Sequence, residues 1–369
     1  MPSMARIWVL TSGRPGDDKQ SLRLAAALGT PFEEKEIVFN DRARTWRLIL
    51  GPSLSTIDAA RSSALEAPWP DLVISSGWRQ VPIVRWIKAH SKGHSRLIQM
   101  NRPPGARHFD LVLSPPQFQV PDRPNIVRLD WPLQLPPEAS KRARAESEWK
   151  DRLAPYPHPW TVVLVGGSSH PFDLDRETAQ QLFDETANRA RRQGGSVMIS
   201  TSRRTPVAAL EALRERVGKA EETALLYEWV PDAHENPYVA LLAGGDEFVV
   251  TPDSISMLVE VARLGRPLSI APHTLLPLPL EKRLRAAGKR LLHGDTSSPR
   301  STFREALSDL ASAFGLKYGR DLASVSRSMV EQGWAADFPA FDGRSGQRLP
   351  DADFDRIVER ARGLLERPG

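Results

Sequence analysis

The stretch F-V-V-T-P-D-S-I-S-M-L-V-E-V-A-R-L-G-R-P, from Phe248 to Pro267, has the pattern of a buried strand, a polar turn and a helix. Its first three residues are apolar and favour a strand, which ends at Thr251. Asp253 or Ser254 then provides a helix N-cap, apolar residues recur at helical spacing, and Gly265 ends the helix. Because another apolar run follows, the stretch predicts a βαβ unit of a parallel sheet.

The polar residues of this unit suggest a ligand site. Ser256 and Glu260 are four residues apart, so they lie on one flank of the predicted helix. A polar turn at the carboxyl end of a strand, followed by a helix N-terminus, is where α/β proteins bind anionic ligands. A carboxylate one turn into that helix could accept both hydroxyls of a ribose. The alternative is that the turn is an ordinary capped helix start and Glu260 is a solvated surface residue.

The alternation of strands and helices runs through the chain twice. We predict an α/β protein with a first Rossmann-like domain at residues 1–150, a second at 151–320 and a C-terminal return segment at 321–369. The boundary is placed at a proline-rich stretch between Trp131 and Pro159.

Composition limits the class of protein. The chain has 369 residues, of which 40% are hydrophobic and 26% charged, as in an ordinary globular protein. It contains no cysteine, which excludes disulfides, thiolate metal sites and cysteine nucleophiles. No H-x-x-x-H motif or carboxylate cluster predicts a metal site. No apolar run has the length of a signal-peptide core or a membrane span, so we expect a cytoplasmic protein.

The charge is uneven along the chain. Residues 1–150 carry 22 Lys and Arg residues against 15 Asp and Glu residues, a net charge of +7, while the whole chain has a net charge of +5. An anionic partner such as a membrane surface or a phosphorylated acceptor would explain this excess. The segments around Trp46 and Trp86 mix basic and aromatic residues, as a membrane-facing surface does. The alternative for the charge excess is that arginine is simply frequent in this chain. The alternative for the segments around the two tryptophans is that each is a helix with one core face and one solvated face.

The first strand is followed by a glycine-containing polar loop and a helix. The loop, from Thr11 to Gln20, matches neither the G-x-G-x-x-G pattern nor a Walker loop. Asp17 and Asp18 stand just before the predicted helix. Either one projects into a ligand site as a general base, or both are partners of the helix dipole and its amides.

Five motifs, in their order and spacing, resemble those of one protein family. They are G-D-D-K-Q at Gly16–Gln20, V-G-G-S-S at Val165–Ser169, S-R-R-T-P at Ser202–Pro206, N-P-Y at Asn236–Tyr238 and T-P-D-S-I-S-M-L-V-E at Thr251–Glu260. The chain resembles, nearly end to end, the glycosyltransferases named after the plant mitochondrial fission protein and a lipopolysaccharide outer-core enzyme. This resemblance implies the GT-B fold: two doubly wound domains facing a cleft, with a C-terminal return helix, acceptor loops in the first domain and donor loops in the second.

A second resemblance, to the peptidoglycan N-acetylglucosaminyltransferase, implies roles on the donor side. Backbone N–H groups of Gly166, Gly167 and Ser168 would approach the diphosphate, where a side chain would block contact. Glu260 would bind the ribose hydroxyls. Arg203 or Arg204 would neutralise the diphosphate, unless it pairs with nearby carboxylates. The other residues implied on the donor side are Ser202, Asn236, Tyr238, Asp253, Ser254, Ser256 and Met257.

The first domain would then hold the acceptor. The position of the first loop of this domain suggests Asp17 as the general base, with Asp18 second, and we expect Gly16, Gln20 and Arg79 on the acceptor side. The chain departs from the family after the strand at Leu111–Leu113, where a His-Asp pair is expected and Ser114-Pro115 stands instead. A different acceptor or a loss of turnover would explain this departure.

The sequence therefore predicts an inverting, metal-independent glycosyltransferase. It would move a sugar from a nucleotide-sugar to an anionic, lipid-linked or cell-envelope glycan such as lipopolysaccharide. We expect no metal and no cofactor beyond this co-substrate, no nucleic-acid partner, and peripheral contact with the inner membrane face. Two alternatives stay open: a GT-B epimerase or hydrolase of nucleotide-sugars, and a non-catalytic GT-B protein that acts in membrane organisation.

Overall fold

The computed structural model describes residues 5–45, 51–101, 105–118, 120, 123–220, 223–231, 235–276, 321–341 and 347–366. Trp46 lies outside these residues. The sequence also predicts a helix from Phe303 to Ala313 with Thr302 as its cap, and that segment lies outside them too. The described chain divides into two units. Among the described residues, the first unit contains those before Gln134, Asp321 and those from Asp351 onward, and the second contains those from Gln134 to 276 and from Leu322 to Pro350.

Fourteen short strands are found among the described residues, and twelve of them belong to two six-stranded sheets. The strands are β1 Ile7–Thr11, β2 Phe32–Glu36, β3 Leu72–Ser76, β4 Arg96–Met100, β5 Leu111–Ser114, β6 Ile126–Arg128, β7 Trp160–Leu164, β8 Phe172–Asp173, β9 Ser196–Ser200, β10 Ala224–Tyr227, β11 Glu247–Val250, β12 Leu268–Ile270, β13 Thr274–Leu275 and β14 Ala336–Asp337.

The helices stand between the strands in both units. They are α1 Pro15–Ala27, α2 Arg42–Thr45, α3 Val81–His90, α4 Ala139–Leu153, α5 Arg176–Gln193, α6 Val207–Val217, α7 Tyr238–Gly244, α8 Ile255–Leu264, α9 Leu322–Glu331 and α10 Phe354–Leu365.

The first unit is built on a parallel sheet of order β2-β1-β3-β4-β5-β6. Its central strands are buried along their whole length because helices cover both faces. One face packs against α1 and α10, where Leu24 and Ile357 are fully buried in the same core. The other face packs against α3, with Ile83 and Ile87 fully buried. The last helix therefore returns to the first unit, as predicted.

Helix α1 begins earlier than the sequence indicated. The sequence pattern predicts a loop as far as Gln20, but the helix starts at Pro15. Proline at the first helical position fits, because its ring fixes φ near the helical value and its missing N–H would be unpaired there anyway. Asp17 and Asp18 consequently lie in the first turn of α1 and not in a free loop.

The second unit has a parallel sheet of order β10-β9-β7-β11-β12-β14. The stretch from Phe248 to Pro267 forms the predicted unit: β11, a turn, α8, and then Gly265 in the left-handed conformation at φ +73°. β8 and β13 form a separate antiparallel pair. Both units are thus doubly wound α/β sheets, which are the Rossmann-like components of the predicted GT-B fold.

The division between the units differs from the predicted boundary at residue 150. The observed division falls after Leu133, and α4 packs against α7 of the second unit. The predicted return segment is also shared, because β14 pairs with β12 in the second sheet while α10 packs in the first unit. Phe338 and Phe341, in the middle of this segment, pack against the core of the second unit.

Candidate functional site

Three of the predicted donor-side loops meet at the carboxyl edge of the second sheet. They follow β7, β9 and β11. The Gly166 N–H donates to Thr251 Oγ1 at 2.8 Å, and Thr205 Oγ1 donates to the Gly166 carbonyl at 2.9 Å. Ser202 Oγ donates to the same carbonyl. The loops are therefore fixed to one another by hydrogen bonds, as expected for neighbouring parallel strands.

Both loop glycines are required by contacts within the protein. A Cβ atom at Gly166 would lie 2.4 Å from Asp253 Oδ1, and one at Gly167 would lie 2.1 Å from the Arg204 carbonyl oxygen. Their N–H groups are also engaged, Gly166 with Thr251 and Gly167 with the Asp253 carboxylate. The resemblance to the peptidoglycan enzyme implies that these glycines allow the approach of a diphosphate. The structure gives close packing of neighbouring loops as a sufficient reason.

Ser168 has a partner of its own. It is exposed at the end of the loop, and its Oγ donates to Asp173 Oδ1 at 2.6 Å. The hydroxyl thereby joins the loop after β7 to β8. A ligand would have to compete with Asp173 for this hydroxyl.

The carboxylate of Asp253 is the centre of the loop cluster. Its side chain is fully buried, Oδ1 accepts from Thr251 Oγ1 at 2.7 Å, and Oδ2 lies 2.8 Å from Arg204 Nη2. Burial raises the pKa of Asp253 above its ordinary value, while Arg204, Thr251 and the Gly167 amide act in the opposite direction. Asp253 thus holds three loops together.

The two adjacent arginines differ in their contacts. Arg204 pairs with Asp253 and donates from Nη1 to Ser169 Oγ at 2.9 Å. Pairing with a nearby carboxylate, the alternative left open by the sequence, therefore holds for Arg204. Arg203 is exposed and has no hydrogen-bond or ion-pair partner among the residues that the structure describes. Its guanidinium is the one of the two that can bind an anion without breaking an existing ion pair.

The N-terminus of α8 lies beside this cluster. Ser254 is its N-cap residue, but the Ser254 side chain makes no capping hydrogen bond. Ser256 and Met257 in the first turn are half-buried. First-turn N–H groups without a side-chain cap are suited to an anionic ligand.

Glu260 and Tyr238 form a second pair. The Tyr238 hydroxyl donates to Glu260 Oε2 at 2.6 Å, and the Asn236 Oδ1 atom accepts from the Tyr238 N–H at 2.9 Å. Glu260 is buried, so the interpretation of it as a solvated surface residue is wrong. Burial, and then the Glu260 carboxylate, raise the pKa of Tyr238 well above its ordinary value, so the hydroxyl stays protonated and acts as the donor.

In the first unit, Asp18 has a structural role. Its carboxylate is buried and accepts the N–H groups of Ser12, at 3.1 Å, and Arg14, at 2.8 Å. Burial raises the pKa of Asp18, although these hydrogen bonds act in the opposite direction. Asp18 thus fixes the loop before α1, which matches the capping alternative for this residue.

Asp17 is half-buried and contacts a residue that the sequence analysis missed. Asn101 Nδ2 donates to Asp17 Oδ1 at 3.0 Å and to Ser76 Oγ at 3.1 Å. Asn101 follows β4, and Ser76 ends β3. The rule that placed ligand residues at carboxyl strand ends could have identified both.

The other predicted acceptor-side residues have contacts of several kinds. Gln20 is buried, and its amide donates to the Gly16 carbonyl at 2.8 Å and accepts from the Leu133 N–H at 3.0 Å, so Gln20 joins α1 to the end of the unit. The guanidinium of Arg79 lies over the ring of Phe39, 5.8 Å from its centroid.

Ser114 stands where the family's His-Asp pair is expected to begin. It is buried, and its hydroxyl has no partner among the described residues.

In the described part of the chain, no group of three or more His, Asp or Glu side chains is arranged to hold a metal ion. Within the same residues, every helix is too short or too polar to span a membrane.

Two doubly wound α/β units, with polar loops gathered at the carboxyl edge of each sheet, define a GT-B-like protein. The sequence profile described as mitochondrial fission ELM1 matches residues 15–298. This is well over half of the chain, which therefore belongs to the mitochondrial fission ELM1 family.

Relatives share modest identity with the chain. It is 27% identical over 297 residues to the mitochondrial fission protein ELM1 of Arabidopsis thaliana, an alignment that covers 73% of this chain and 66%, slightly under two thirds, of the relative. It is 24% identical over 302 residues to the uncharacterized protein RP120 of Rickettsia prowazekii, covering 72% of this chain and 82% of that one.

Similar solved structures include a UDP co-structure of MnaA from S. aureus, with a TM-score of 0.47 at 11% identity, covering 98% of this chain and 97% of that chain. A UDP-glucosyltransferase from Polygonum tinctorium has a TM-score of 0.47 at 12% identity and covers 99% of each chain. The UDP-GlcNAc 2-epimerase from Methanocaldococcus jannaschii has a TM-score of 0.47 at 11% identity, covering 96% of this chain and 98% of that chain.

Proposed function

We propose that the protein is an inverting, metal-independent glycosyltransferase that moves a sugar from a nucleotide-sugar to an anionic, lipid-linked or envelope glycan. One observation carries the proposal. The loops after β7, β9 and β11 contact one another at the carboxyl edge of the second sheet, beside the N-terminus of α8. This edge is where doubly wound sheets bind nucleotides.

The donor diphosphate would bind to Arg203 and to the N-terminus of α8. Arg203 is exposed and has no partner among the described residues, and the Ser254 side chain does not cap the helix. A guanidinium can donate two parallel hydrogen bonds to a phosphate, and the helix dipole favours the same negative charge. Both groups would also stabilise the nucleoside diphosphate as it leaves, which removes the need for a metal ion.

The ribose would bind to Glu260. A carboxylate is an acceptor-only group with two oxygens, which suits the two hydroxyls of a ribose, and that of Glu260 also accepts from the Tyr238 hydroxyl. The short Tyr238 contact also fixes the orientation of the carboxylate. Because Glu260 is buried, a ribose would have to reach it between half-buried side chains of the first turn, such as Ser256 and Met257.

Asp17 would act as the general base. Its carboxylate takes the proton of the acceptor hydroxyl while the hydroxyl oxygen forms a bond to the anomeric carbon. The bond from that carbon to the diphosphate oxygen breaks on the opposite face, so the configuration inverts and the nucleoside diphosphate leaves with the electron pair. Asp18 is excluded from this role in the proposal because three hydrogen bonds commit it to the backbone of Ser12 and Arg14.

One observation favours a non-catalytic alternative. The amides of Gly166 and Gly167 are engaged by Thr251 and Asp253, and Arg204 is paired with Asp253. A GT-B-like protein whose donor loops are closed by their own side chains could serve in membrane organisation instead. The basic excess of the first 150 residues would suit contact with an anionic membrane face in either case.

Product analysis tests the proposal. The full-length chain is incubated with a panel of nucleotide-sugars, with and without lipid-linked oligosaccharide acceptors, and the nucleoside diphosphate and glycan products are quantified. We expect release of diphosphate coupled to glycosylation of the acceptor, and loss of both in Asp17→Asn. Donor consumption without any acceptor would replace the proposal with an epimerase or hydrolase. No consumption of any donor would favour the non-catalytic alternative.

A further inference from the structure

Asn101 has an unusual backbone conformation at the carboxyl end of β4. Its φ angle is +69°, in the left-handed region that glycine adopts freely and most other residues avoid. Its N–H donates to the Leu113 carbonyl at 2.8 Å, which fixes the residue against β5. Strained conformations of this kind persist where surrounding contacts hold them, and they are common at functional sites.

The side chain of Asn101 uses both amide hydrogens. Nδ2 donates to Asp17 Oδ1 at 3.0 Å and to Ser76 Oγ at 3.1 Å. The amide therefore joins three neighbouring strand ends of the first sheet, since Asp17 follows β1, Ser76 ends β3 and Asn101 follows β4. An amide hydrogen bond to an ionised carboxylate is among the stronger and more directional contacts that a side chain makes.

The other oxygen of Asp17 lies close to the loop after β3. Asp17 Oδ2 is 3.8 Å from the position that a Cβ atom would take at Gly77, whose φ angle is +77°. This loop is itself fixed, because Gln99 Nε2 donates to the Gly77 carbonyl at 3.1 Å and Gln80 Oε1 accepts from the Ser76 N–H at 2.8 Å. The Asp17 carboxylate thus lies between a fixed loop and the Asn101 amide.

We propose that Asn101 is a positioning residue, which orients the Asp17 carboxylate toward the hydroxyl group of the acceptor. The inference rests on the proposed function, in which Asp17 takes a proton from that hydroxyl. The Asn101 amide occupies Oδ1 and leaves Oδ2 as the oxygen that receives the proton. Asn101 itself neither gains nor loses a proton, because a carboxamide does not titrate in this range.

Two substitutions separate this role from a structural one. Asn101→Gly removes the amide but suits the positive φ angle better than asparagine does, so it does not strain the backbone. Asn101→Asp keeps the shape but replaces the donor with a second carboxylate next to Asp17. Lys92→Gly is the matched control, because Lys92 also has a positive φ angle, +54°, and is exposed on the turn after α3.

The measurement is the kinetics of donor consumption in the presence of acceptor, together with the thermal midpoint of each variant. A hydrogen bond to a charged group corresponds to about a 10- to 100-fold change in rate. We expect Asn101→Gly to lower kcat by about this factor, with the donor KM within about twofold and the midpoint not lowered. We expect Asn101→Asp to lower kcat by at least the same factor, and Lys92→Gly to keep the wild-type kcat.

The inference is overturned if Asn101→Gly keeps the wild-type kcat while Asp17→Asn is inactive. It is also overturned if kcat, donor affinity and thermal midpoint all fall together in Asn101→Gly, because Asn101 would then serve the folding of the unit. A wild-type chain that consumes no donor contradicts the proposed function, and the inference falls with it. Failure of the inference and failure of the proposed function are distinguishable. The wild-type protein is active in the first two of these outcomes and inactive in the third.

Discussion

The Nη2 atom of Arg204 lies 2.8 Å from Oδ2 of Asp253, a carboxylate whose side chain is fully buried. This pair gives the two neighbouring arginines different roles. Arg204 compensates a buried negative charge and holds the loops together, whereas Arg203 is exposed and has no partner among the described residues.

Substitution of these arginines separates binding from stability. Arg203→Ala should weaken the binding of a nucleoside diphosphate by about tenfold or more, because a charge-assisted hydrogen bond contributes about 1.5–3 kcal/mol. Its unfolding free energy should stay within about 0.5 kcal/mol of the wild type, since the side chain is exposed. Calorimetric titration and urea unfolding measure the two quantities.

Arg204→Ala should instead lower the unfolding free energy more than the affinity for a nucleoside diphosphate. Loss of the cation leaves the Asp253 carboxylate buried without its ion-pair partner, which costs about 1–3 kcal/mol of unfolding free energy. Arg203→Lys is the control that keeps the charge. Equal loss of stability in the two alanine variants would contradict the assignment of different roles.

Gly167→Ala should destabilise the second unit. A Cβ atom there would lie 2.1 Å from the Arg204 carbonyl oxygen, and a backbone atom cannot move aside as a flexible side chain can. Overpacking of this kind costs about 1–3 kcal/mol. Urea unfolding of this variant is compared with that of Gly363→Ala, whose added methyl group in α10 meets no atom within 4 Å and should raise stability by about 1 kcal/mol. Unchanged stability in Gly167→Ala would mean that the loops are not packed as described.

Tyr238→Phe tests the contact between the phenol and Glu260. The substitution removes the 2.6 Å hydrogen bond and leaves a buried carboxylate with one donor fewer. We expect a loss of about 1–3 kcal/mol of unfolding free energy. If Glu260 binds the ribose, nucleotide affinity should fall as well, because the carboxylate is no longer held in place. A variant with lower stability and full nucleotide affinity would remove Glu260 from the donor site.

The two aspartates that contact backbone amides near helix starts should differ in their pH dependence. Burial raises the pKa of Asp18 above its ordinary value of 3.8, so the native state favours its protonated form. Relative to Asp18→Asn, the wild type should therefore gain stability as the pH falls through the raised pKa, with the full gain reached below 3.8, and lose it as the pH rises.

Asp175 provides the control of opposite sign. It accepts the Thr178 N–H at 2.8 Å, and this hydrogen bond lowers the pKa of Asp175. Relative to Asp175→Asn, the wild type should keep its added stability above pH 3.8 and lose it as the pH falls through the lowered pKa. Urea unfolding of both pairs between about pH 3 and pH 7 checks the prediction, and parallel pH profiles for the two pairs would contradict it.

Much of the fold was predictable because its signals are local. The sequence pattern predicts strands at Ser196–Ser200 and Ala224–Tyr227 and a helix at Val207–Val217, because apolar runs there end near glycine, proline or charged residues. The structure has these three elements with the same bounds. The strand β14 was missed, because two residues are too few to form a pattern and only pairing with β12 defines it. The unit boundary was missed for a similar reason, since the packing of α4 is a long-range contact.

The candidate site was predictable only in part. The carboxyl ends of parallel strands share an edge, so the meeting of the loops at Gly166, Ser202 and Thr251 follows from the order of the elements. The order of the elements does not predict the partner of Arg204, because an arginine pairs equally well with a carboxylate in the adjacent loop and with a ligand phosphate. Asn101 was missed although it directly follows a strand, because a single asparagine has no distinctive spacing.

We propose that the second unit binds a nucleoside diphosphate at the loop cluster beside α8. Equilibrium titration of UDP, GDP and ADP, and of their sugar conjugates, into the full-length chain measures this binding. We expect saturable 1:1 binding of at least one of them, weakened about tenfold or more in Arg203→Ala and unaffected in Lys92→Gly. Absence of binding for every nucleotide, or equal affinity in the wild type and Arg203→Ala, would contradict it.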